Sequence, residues 1–279
     1  NHYVPGMLSD NEIRNETYLG GNLRYDNDST YLLELSGELM NNGNHKASAS
    51  YENRLWLLSY DRLMYEPAAI QERYFSNHYE WYNDFSPVQS DNIDARFKVS
   101  LPGLRLLPGI SFSNIFNYIY FDTDKRPVQA DGGIQLYSPG IKLGWDITEK
   151  IHLNGNFIYT FKTGSQQAKD AFRIPDIFLN GNLYYSDWLF DNKLLVSAGI
   201  DAHYRSTYFA DGYDPVTRQF YLQNDFEIPS YLLLDAYINF RIRTVKVFVK
   251  MTYFNQGNNS GYFTTPFYTG QPRVLDVGV

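Results

Sequence analysis

Five histidines are the first residues in this sequence that could hold a metal ion or act as a catalytic base: His2, His45, His78, His152 and His203. None lies in an HExxH pattern, and none has a carboxylate at helical spacing, so the histidines predict no zinc site. His152 and His203 alternate with Asn and Asp residues along predicted strands. A polar strand face is therefore the expected environment of both.

One predicted strand carries Asp201, His203 and Ser206, which are the residue types of a hydrolase triad. Side chains that follow one another on a single strand are aligned along it and do not converge on one point. The set therefore predicts no catalytic centre. We expect a protein that is not an enzyme and that needs no cofactor.

Two other kinds of segment resemble ion-binding motifs, but neither contains the complete motif. GNLYYS and GGNLRY contain glycines, but no helix follows them to bind a phosphate at its N-terminus. DTDKRPVQADGG, residues 122–133, has acidic residues like a calcium loop but lacks the closing glutamate and the flanking helices, so a polar surface loop is expected. The absence of cysteine excludes disulfides, cysteine metal sites and thiol nucleophiles.

The most informative polar residues are charged side chains that alternate with apolar ones along predicted strands. Rings of charge set the ion preference of a membrane pore. The same charges could instead pair across a filled interior, and both interpretations stay open. The first hairpins add Glu16, Glu34 and Glu38 to this face. The predicted pore-lining residues are Asp94, Arg96, Lys98, Lys142, Asp146, Asp201, His203, Arg205, Asp235, Arg241, Lys246 and Lys250.

The stretch LLLDAYINFRIRTVKVFVKMTY, residues 232–253, shows how such charges are positioned. Its apolar residues fall on even numbers up to Ile242 and on odd numbers from Val245. Because side chains alternate across a strand, this change predicts two strands joined by a two-residue turn at Arg243 and Thr244. In that hairpin Ile242 lies opposite Val245, one face is apolar, and the other face is charged.

The same alternation recurs along most of the chain, and helical spacing does not appear over any comparable length. Strands of about 11 to 14 residues are longer than usual for soluble sheets and long enough to cross a bilayer at a tilt. The apolar face of these predicted strands carries no charge. Strands are predicted near 14–26, 30–41, 45–60, 72–84, 91–101, 109–121, 132–147, 150–163, 174–186, 193–207, 231–243 and 244–255, with a last one beginning near 273.

The predicted connections alternate between short turns and long loops, as in outer-membrane barrels. Aromatic residues lie at both strand ends, as in the two belts at membrane–water interfaces. The belt beside the short turns is predicted to contain Tyr25, Tyr31, Trp145 and Tyr185, and the belt beside the long loops Tyr159, Phe161, Tyr204, Tyr231 and Tyr253.

Composition supports the same class. The formal net charge is -7 and the pI about 5.2, so a nucleic-acid partner is not expected. No apolar run reaches the ~18 residues of a membrane helix. A soluble β-sandwich or β-barrel is the alternative, but small residues such as Gly155, Gly181 and Ala198 on the apolar face would leave voids in a packed core. The sequence therefore predicts an all-β, transmembrane, antiparallel up-and-down β-barrel of about 14 strands, in a range of about 12–16.

Residues 194–257 contain YFADGYDPVTRQFYLQN, SYLLLDAYINFRI and VKVFVKMTYFNQG, and residues 73–85 read RYFSNHYEWYNDF. These segments resemble the putative porin family of Bacteroidetes-type Gram-negative bacteria. The resemblance implies an outer-membrane β-barrel that acts as a diffusion pore, without catalytic residues. Family members usually finish with an aromatic-rich strand, whereas this chain stops at Val279.

From these observations we expect residues 1–279 to form a single outer-membrane β-barrel domain that is an incomplete portion of the whole. The odd count of thirteen strands predicts that at least one strand precedes Asn1, that residues 1–13 lie outside the cell, and that the last strand is cut short.

The expected function is passive diffusion of small hydrophilic solutes across the bacterial outer membrane. The expected partners are outer-membrane lipid, such solutes, and other outer-membrane proteins in a complex. An alternative is a structural or docking subunit of a larger outer-membrane assembly, secretion or uptake complex. A third option, the barrel of an energised receptor, would require a plug domain and an energy-coupling box, which this stretch of sequence does not contain.

Overall fold

A computed structural model describes residues 17–27, 30–257 and 262–279. The predicted strand start at 14–16, Glu16 and the predicted location of residues 1–13 lie outside the described residues. These residues contain two short helices, α1 (Ala69–Glu72) and α2 (Gln166–Ala171). No described helix has the length and apolar content needed to cross a membrane.

The rest of the regular structure is strand. The strands are β1 (Tyr18–Asn27), β2 (Tyr31–Met40), β3 (His45–Asn53), β4 (Trp56–Tyr65), β5 (Arg73–Phe75), β6 (Glu80–Tyr82), β7 (Val88–Phe97), β8 (Val99–Leu101), β9 (Leu104–Phe116), β10 (Ile119–Phe121), β11 (Pro127–Gln129), β12 (Gly133–Asp146), β13 (Ile151–Tyr159), β14 (Phe161–Gly164), β15 (Ile177–Leu189), β16 (Leu194–Arg205), β17 (Gly212–Asp214), β18 (Gln219–Tyr221), β19 (Tyr231–Ile242), β20 (Val245–Thr252), β21 (Phe263–Thr265), β22 (Tyr268–Thr269) and β23 (Val274–Gly278).

The long strands form one antiparallel sheet in which each strand pairs with its neighbour in the chain. The order is β1-β2-β3-β4-β7-β9-β12-β13-β15-β16-β19-β20-β23, with β8 and β14 as short continuations of β7 and β13. Within the described residues, β1 and β23 are the two edges of this sheet. The remaining short strands pair among themselves as four separate hairpins inside long connections.

The hairpin predicted from the change of parity is confirmed. Ile242 pairs with Val245 and Phe240 with Val247, and the register continues to Ala236 and Met251. Arg243 adopts a left-handed φ of 52°, which lets two residues reverse the chain.

The sheet has an apolar face and a polar face, as its registers show. On the apolar face one row crosses five strands through Leu153, Leu183, Ile200, Ala236 and Met251. On the polar face the neighbouring row contains Asn154, Asn182, Asp201 and Asp235. Large apolar side chains on the first face, such as Leu183 and Ile200, stay exposed, so the chain itself does not cover them.

Short turns lie at one end of the sheet, and the connections at the other end are long except for 41–44, so the predicted asymmetry is confirmed outside the first strands. The described short turns are 54–55, 102–103, 147–150, 190–193 and 243–244, and Asn27 of β1 pairs with Tyr31 of β2 at the same end. The connections at the opposite end are 41–44, 66–87, 117–132, 165–176, 206–230 and the one between β20 and β23, of which 253–257 and 262–273 are described.

Aromatic rings line both ends of the apolar face. Near the short turns, Trp56 and Phe97 have ring centroids 4.8 Å apart, and Tyr25 contacts Tyr31 at 5.8 Å. Near the long connections, a row of rings runs through Phe112, Tyr137 and Phe161, with centroid distances of 5.0 and 5.1 Å.

A polar row lies one step beyond the second group of rings, on the same face: Arg62, Asp91, Asn114, Gln135 and Thr163 are aligned across the strands. Arg62 Nη1 lies 3.3 Å from Asp91 Oδ1, and Gln135 Nε2 donates to Asn114 Oδ1 at 3.0 Å. The prediction that the apolar face is free of charge is therefore wrong at its loop end. The polar row marks where the apolar band stops.

Two predicted strands are wrong, although the count of thirteen is right. The predicted strand 45–60 is two strands, β3 and β4, because Asn53 Oδ1 accepts hydrogen bonds from the amides of Leu55 and Trp56 and closes a tight turn there. The predicted strand 72–84 is a small hairpin of β5 and β6 within a long connection. The two errors cancel in the total.

Candidate pore lining and loop cap

All twelve residues predicted to line a pore lie on the polar face or directly at its end. The registers place Asp94 opposite Ser111, and Asp201 opposite Asn182 and Asp235. Lys98 follows β7, and its Nζ donates to Glu52 Oε1 at 2.6 Å at the short-turn end. The polar face therefore brings these residues onto one surface, and their role in lining a pore remains a prediction.

Most of the charges in the middle of this face are paired. Asp201 and Asp235 are directly opposite, and Lys250 Nζ lies 3.7 Å from a carboxylate oxygen of Asp201 and 2.9 Å from one of Asp235. Asn182 Nδ2 donates to Asp201 Oδ1 at 2.6 Å and to the Tyr237 hydroxyl at 3.0 Å. One ammonium group thus bridges two carboxylates that would otherwise repel each other.

Two further groups of charges repeat this pairing on other strands. Arg96 donates through Nε and Nη2 to both oxygens of Asp94, at 2.7 and 2.8 Å. His152 Nδ1 lies 2.7 Å from Asp146 Oδ1, and Arg105 reaches the same carboxylate at 3.8 Å. Lys142 lies on this face between β9 and β13, opposite Leu107 and Asn156.

The histidines form no metal or catalytic site in the described residues. His203 Nδ1 lies 2.6 Å from Asn180 Oδ1 on the adjacent strand, and Ser206 Oγ accepts a hydrogen bond from the Ile177 amide at the strand end. Asp201 is bound by Asn182 instead of by His203. No group of three or more His, Cys, Asp or Glu side chains in the described parts could hold a metal ion.

The described parts of five long connections fold together over the loop end of the polar face, and we call them the loop cap: 66–87, 117–132, 165–176, 206–230, and 253–257 with 262–273. One buried cluster in the cap joins Ala130, Ile134, Leu136 and Ala168. A second joins Ala210, Ile228 and Tyr231. Ile134 and Leu136 are polar-face positions of β12, so the cap packs directly onto that face.

Polar contacts connect these connections across long sequence distances. Lys125 Nζ donates to Asp214 Oδ1 at 2.8 Å, 89 residues away. Asp214 also accepts hydrogen bonds from the amide and hydroxyl of Thr217, both at 2.9 Å. Arg173 donates to the Gln223 carbonyl and, at 2.7 Å, to Asn224 Oδ1. The connections are therefore bound to one another as well as to the sheet.

The cap also takes in residues that were predicted to face elsewhere. Tyr231 and Tyr253 are buried beside the Tyr262 ring, at 5.1 and 5.8 Å, and do not belong to the exposed aromatic belt. Arg205 donates to the Phe263 carbonyl at 2.6 Å and lies over the rings of Tyr231 and Tyr262. The belt prediction is wrong at these two tyrosines because their side chains point to the polar face, under the cap.

The cap holds ionisable groups whose pKa values are shifted. Burial raises the pKa of Asp211 to about 6, against the opposing field of Arg173, and Asp211 Oδ1 is buried without a hydrogen-bond partner. Burial, with the Asp211 charge nearby, raises the pKa of Tyr118 to about 12. Burial acts to raise the pKa of Asp214 as well, but the hydrogen bonds from Lys125 and Thr217 outweigh it and lower that pKa.

A cleft of about 520 Å³ opens within the cap. It is bounded by Lys162, Arg173, Asp176, Tyr208 and Phe209 among others. Lys162 Nζ already donates to the carbonyls of Lys169 and Phe172, at 3.2 and 2.8 Å. The cleft is thus built mainly from groups that stabilise the cap.

Comparison with known proteins decides the family. The family model described as "Putative porin" matches residues 4–279. The chain belongs to the putative porin family. A search of curated proteins gave no match.

Solved structures similar to this porin-family chain include outer-membrane receptors and transporters. The pyoverdine receptor FpvA of Pseudomonas aeruginosa matches with a TM-score of 0.60 and 13% identity, over 93% of this chain and 41% of that one. The copper transporter OprC matches with a TM-score of 0.63 and 11% identity, over 85% and 41%. The ferric preacinetobactin receptor BauA of Acinetobacter baumannii matches with a TM-score of 0.57 and 12% identity, over 94% and 42%.

At these identities the matches establish the fold alone, and the porin-family chain spans about two fifths of the length of those receptors. Together with the family, the fold makes this an outer-membrane β-barrel protein. The apolar face is therefore the lipid-facing side, and the family points to transport instead of catalysis.

Sequence reasoning missed the loop cap. The signal that could have revealed it is the high aromatic content of the long connections, as in RYFSNHYEWYNDF and GYFTTPFYTG. Aromatic residues in loops of this length indicate packing, since loops exposed to water seldom carry so many.

Proposed function

We propose that this porin-family protein forms a passive channel for small hydrophilic solutes, with the polar face as its lining. The observation that carries the proposal is the separation of the two faces. The polar face presents paired charges, Asn and Ser side chains across the whole sheet, while the apolar face is exposed and suits lipid. Paired charges keep a lining wet without attracting one ion so strongly that it cannot leave.

The loop cap then acts as the size filter at the outer end. It packs on the polar face through Ile134, Leu136 and Tyr231, so a solute must pass between or beside the connections. Below the cap, the middle of the sheet carries the bridge of Lys250 to Asp201 and Asp235. Selectivity in this arrangement comes from pore width and lining charge, without a cofactor or an energy source.

A single introduced cysteine tests this proposal, because the chain has none of its own. Ser48 lies on the polar face of β3, opposite Ser36 and Asp61, and Ala49 lies next to it on the apolar face. Each variant, Ser48→Cys or Ala49→Cys, is reconstituted in a planar bilayer, and a charged thiol reagent that cannot cross lipid is added. We expect a stepwise fall in single-channel conductance for Ser48→Cys and none for Ala49→Cys.

Two results would contradict the proposal. One is the absence of any conductance from correctly inserted protein. The other is equal modification of both cysteines, because this would mean that the sheet does not separate the polar face from the apolar face.

A second candidate function is a docking subunit of an outer-membrane complex, and one observation favours it. The cap carries large apolar side chains that are exposed to water, including Phe75, Phe220 and Phe267. If these residues bind a partner protein, a complex isolated from native outer membranes in mild detergent should lose one stoichiometric component in the Phe220→Ser/Phe267→Ser variant. A wild-type protein that elutes alone would contradict docking and leave the channel proposal intact.

A further inference from the structure

The polar-face row nearest the short turns carries two cations side by side. Arg241 on β19 and Lys246 on β20 are directly opposite each other in the register. Like charges directly opposite on neighbouring strands destabilise the pair. Within the described parts of the chain, no carboxylate lies within 4.0 Å of either cation. The Arg241 guanidinium instead lies over the Trp188 ring, at 5.2 Å from its centroid.

The neighbouring strands β16, β19 and β20 hold a second like-charge pair, and that pair is compensated. Asp201 and Asp235 are also directly opposite, and Lys250 bridges them. Asp235 lies six residues from Arg241 along β19, which is about 20 Å, too far for a direct ion pair. The sheet therefore neutralises its acidic pair internally and leaves its basic pair without a counter-ion.

A hollow of about 320 Å³ lies at the basic pair. Next to the two cations, one row further from the turn, Ser197 and Asn239 are directly opposite and line the same hollow. A guanidinium, an ammonium, a hydroxyl and a carboxamide all donate hydrogen bonds, and guanidinium groups match the oxygens of carboxylates and phosphates. Four apolar residues, Leu195, Phe240, Val247 and Phe248, form the remaining walls.

We propose that Arg241, Lys246, Ser197 and Asn239 form a binding site for small solute anions that carry a carboxylate or phosphate group. The site lies on the polar face at the short-turn mouth, so it receives solute from the interior of the channel. This inference names a solute class for the channel and in that respect rests on the proposed function. A bound anion supplies the missing counter-charge and draws the guanidinium away from the Trp188 ring.

The test is a titration of the full chain with inorganic phosphate, in lipid-free non-ionic detergent, followed by tryptophan fluorescence. Because no lipid is present, lipid phosphate cannot produce the response. We expect a saturable change with phosphate that chloride at equal ionic strength does not give and that Trp188→Phe abolishes. The Arg241→Gln/Lys246→Gln variant should bind phosphate at least about tenfold more weakly, because two charged donors are lost.

Arg243→Gln is the matched control, since it removes a positive charge from the adjacent turn but not from the polar face. Heat-modifiable migration of each variant on a gel shows that the barrel is folded. A response that is linear in phosphate, or one that is equal in Arg241→Gln/Lys246→Gln and wild type, would overturn the proposed site.

Bilayer recordings separate this inference from the channel proposal. Saturable phosphate binding by a protein that shows no conductance would support the site and contradict passive diffusion. Normal conductance with no saturable phosphate response would support the channel and contradict the site.

Discussion

The loop cap and the large antiparallel sheet, which we call the wall, are stabilised in opposite ways. In the cap, apolar side chains such as Trp81, Ala168 and Ile228 are buried, as in a soluble protein. In the wall, apolar side chains such as Ile200 and Ile238 remain exposed along the whole apolar face. The described buried apolar residues lie in the cap or at the strand ends beneath it.

The difference shows that one chain can form a core only where water surrounds it. In the wall, lipid replaces the core, and each strand satisfies its backbone groups through its neighbours. In the cap, water competes for every hydrogen bond, so burial and ion pairs such as Lys125 with Asp214 supply the stability. The same kind of substitution should therefore have different effects in the two regions.

Truncating a buried side chain of the cap should have the largest effect. Ile228 is 0% exposed, so Ile228→Ala should lower the free energy of cap opening by about 2–5 kcal/mol through lost burial and the cavity left behind. Hydrogen exchange of the amides in 206–230 measures this. Leu232→Ala, at an exposed wall position four residues away, should change the same exchange far less. Equal effects of the two variants would contradict the claim that the cap depends on buried side chains and the wall does not.

A charge placed on the apolar face should destabilise the wall by about 2–4 kcal/mol near the bilayer midplane. Leu35 lies on that face of β2, and Ser36 lies next to it on the polar face near Glu34 and Glu38. We expect Leu35→Lys to lower the stability measured by urea unfolding in phospholipid vesicles, and Ser36→Lys to be tolerated. If Ser36→Lys were the more harmful change, the two faces would be reversed.

Asp211 should make the cap less stable as the pH rises. Its pKa in the folded cap is about 6, above the ordinary 3.8, so the folded state holds the proton more tightly than the unfolded state. The resulting stabilisation is fully present below pH 3.8 and is lost as the pH rises to about 6. Asp211→Asn should remove this dependence and stabilise the cap at pH 7.5 by about 1–2 kcal/mol, which is less than the full pKa difference would give because solvent screens this partly exposed carboxyl group. Hydrogen exchange at pH 5 and 7.5 tests it, and a variant that still loses protection with pH would contradict the role of Asp211.

The smallest effect is expected for an exposed ion pair of the wall. Arg24 Nη1 lies 3.3 Å from Glu34 Oε1, and the side chains are 63% and 46% exposed. Arg24→Met should therefore change the unfolding free energy in vesicles by only about 0–1 kcal/mol. A loss as large as that of Leu35→Lys would show that wall stability depends on charge pairing more than on the apolar face.

The wall could be predicted from sequence because its information is local. The change of parity at Ile242 and Val245 fixes the register of a whole hairpin, and the structure confirms it. The turn after Asn53 was missed because it has no glycine and is closed by the Asn53 side chain. Alternation alone could not show that β5 and β6 form a hairpin of the cap, since strands of the cap and strands of the large sheet show the same alternation.

The cap could not be predicted because its contacts join distant parts of the chain. Nothing in the residues around Lys125 points to Asp214, and nothing near Tyr74 points to Val216, whose carbonyl the Tyr74 hydroxyl reaches at 3.3 Å. The placement of charges on the polar face was predictable from parity. Their partners were not, because pairing depends on which strands become neighbours.

The polar row of Arg62, Asp91, Asn114, Gln135 and Thr163 determines how deep the barrel sits. From Phe161 to Ile151 the apolar face runs about 33 Å along the strand, or about 25 Å of height at a tilt of about 40°. This height suits the thin hydrocarbon layer of a bacterial outer membrane. In a thicker bilayer, Arg62 and Asp91 would lie within the hydrocarbon layer. The row therefore matches this protein to a membrane of one thickness.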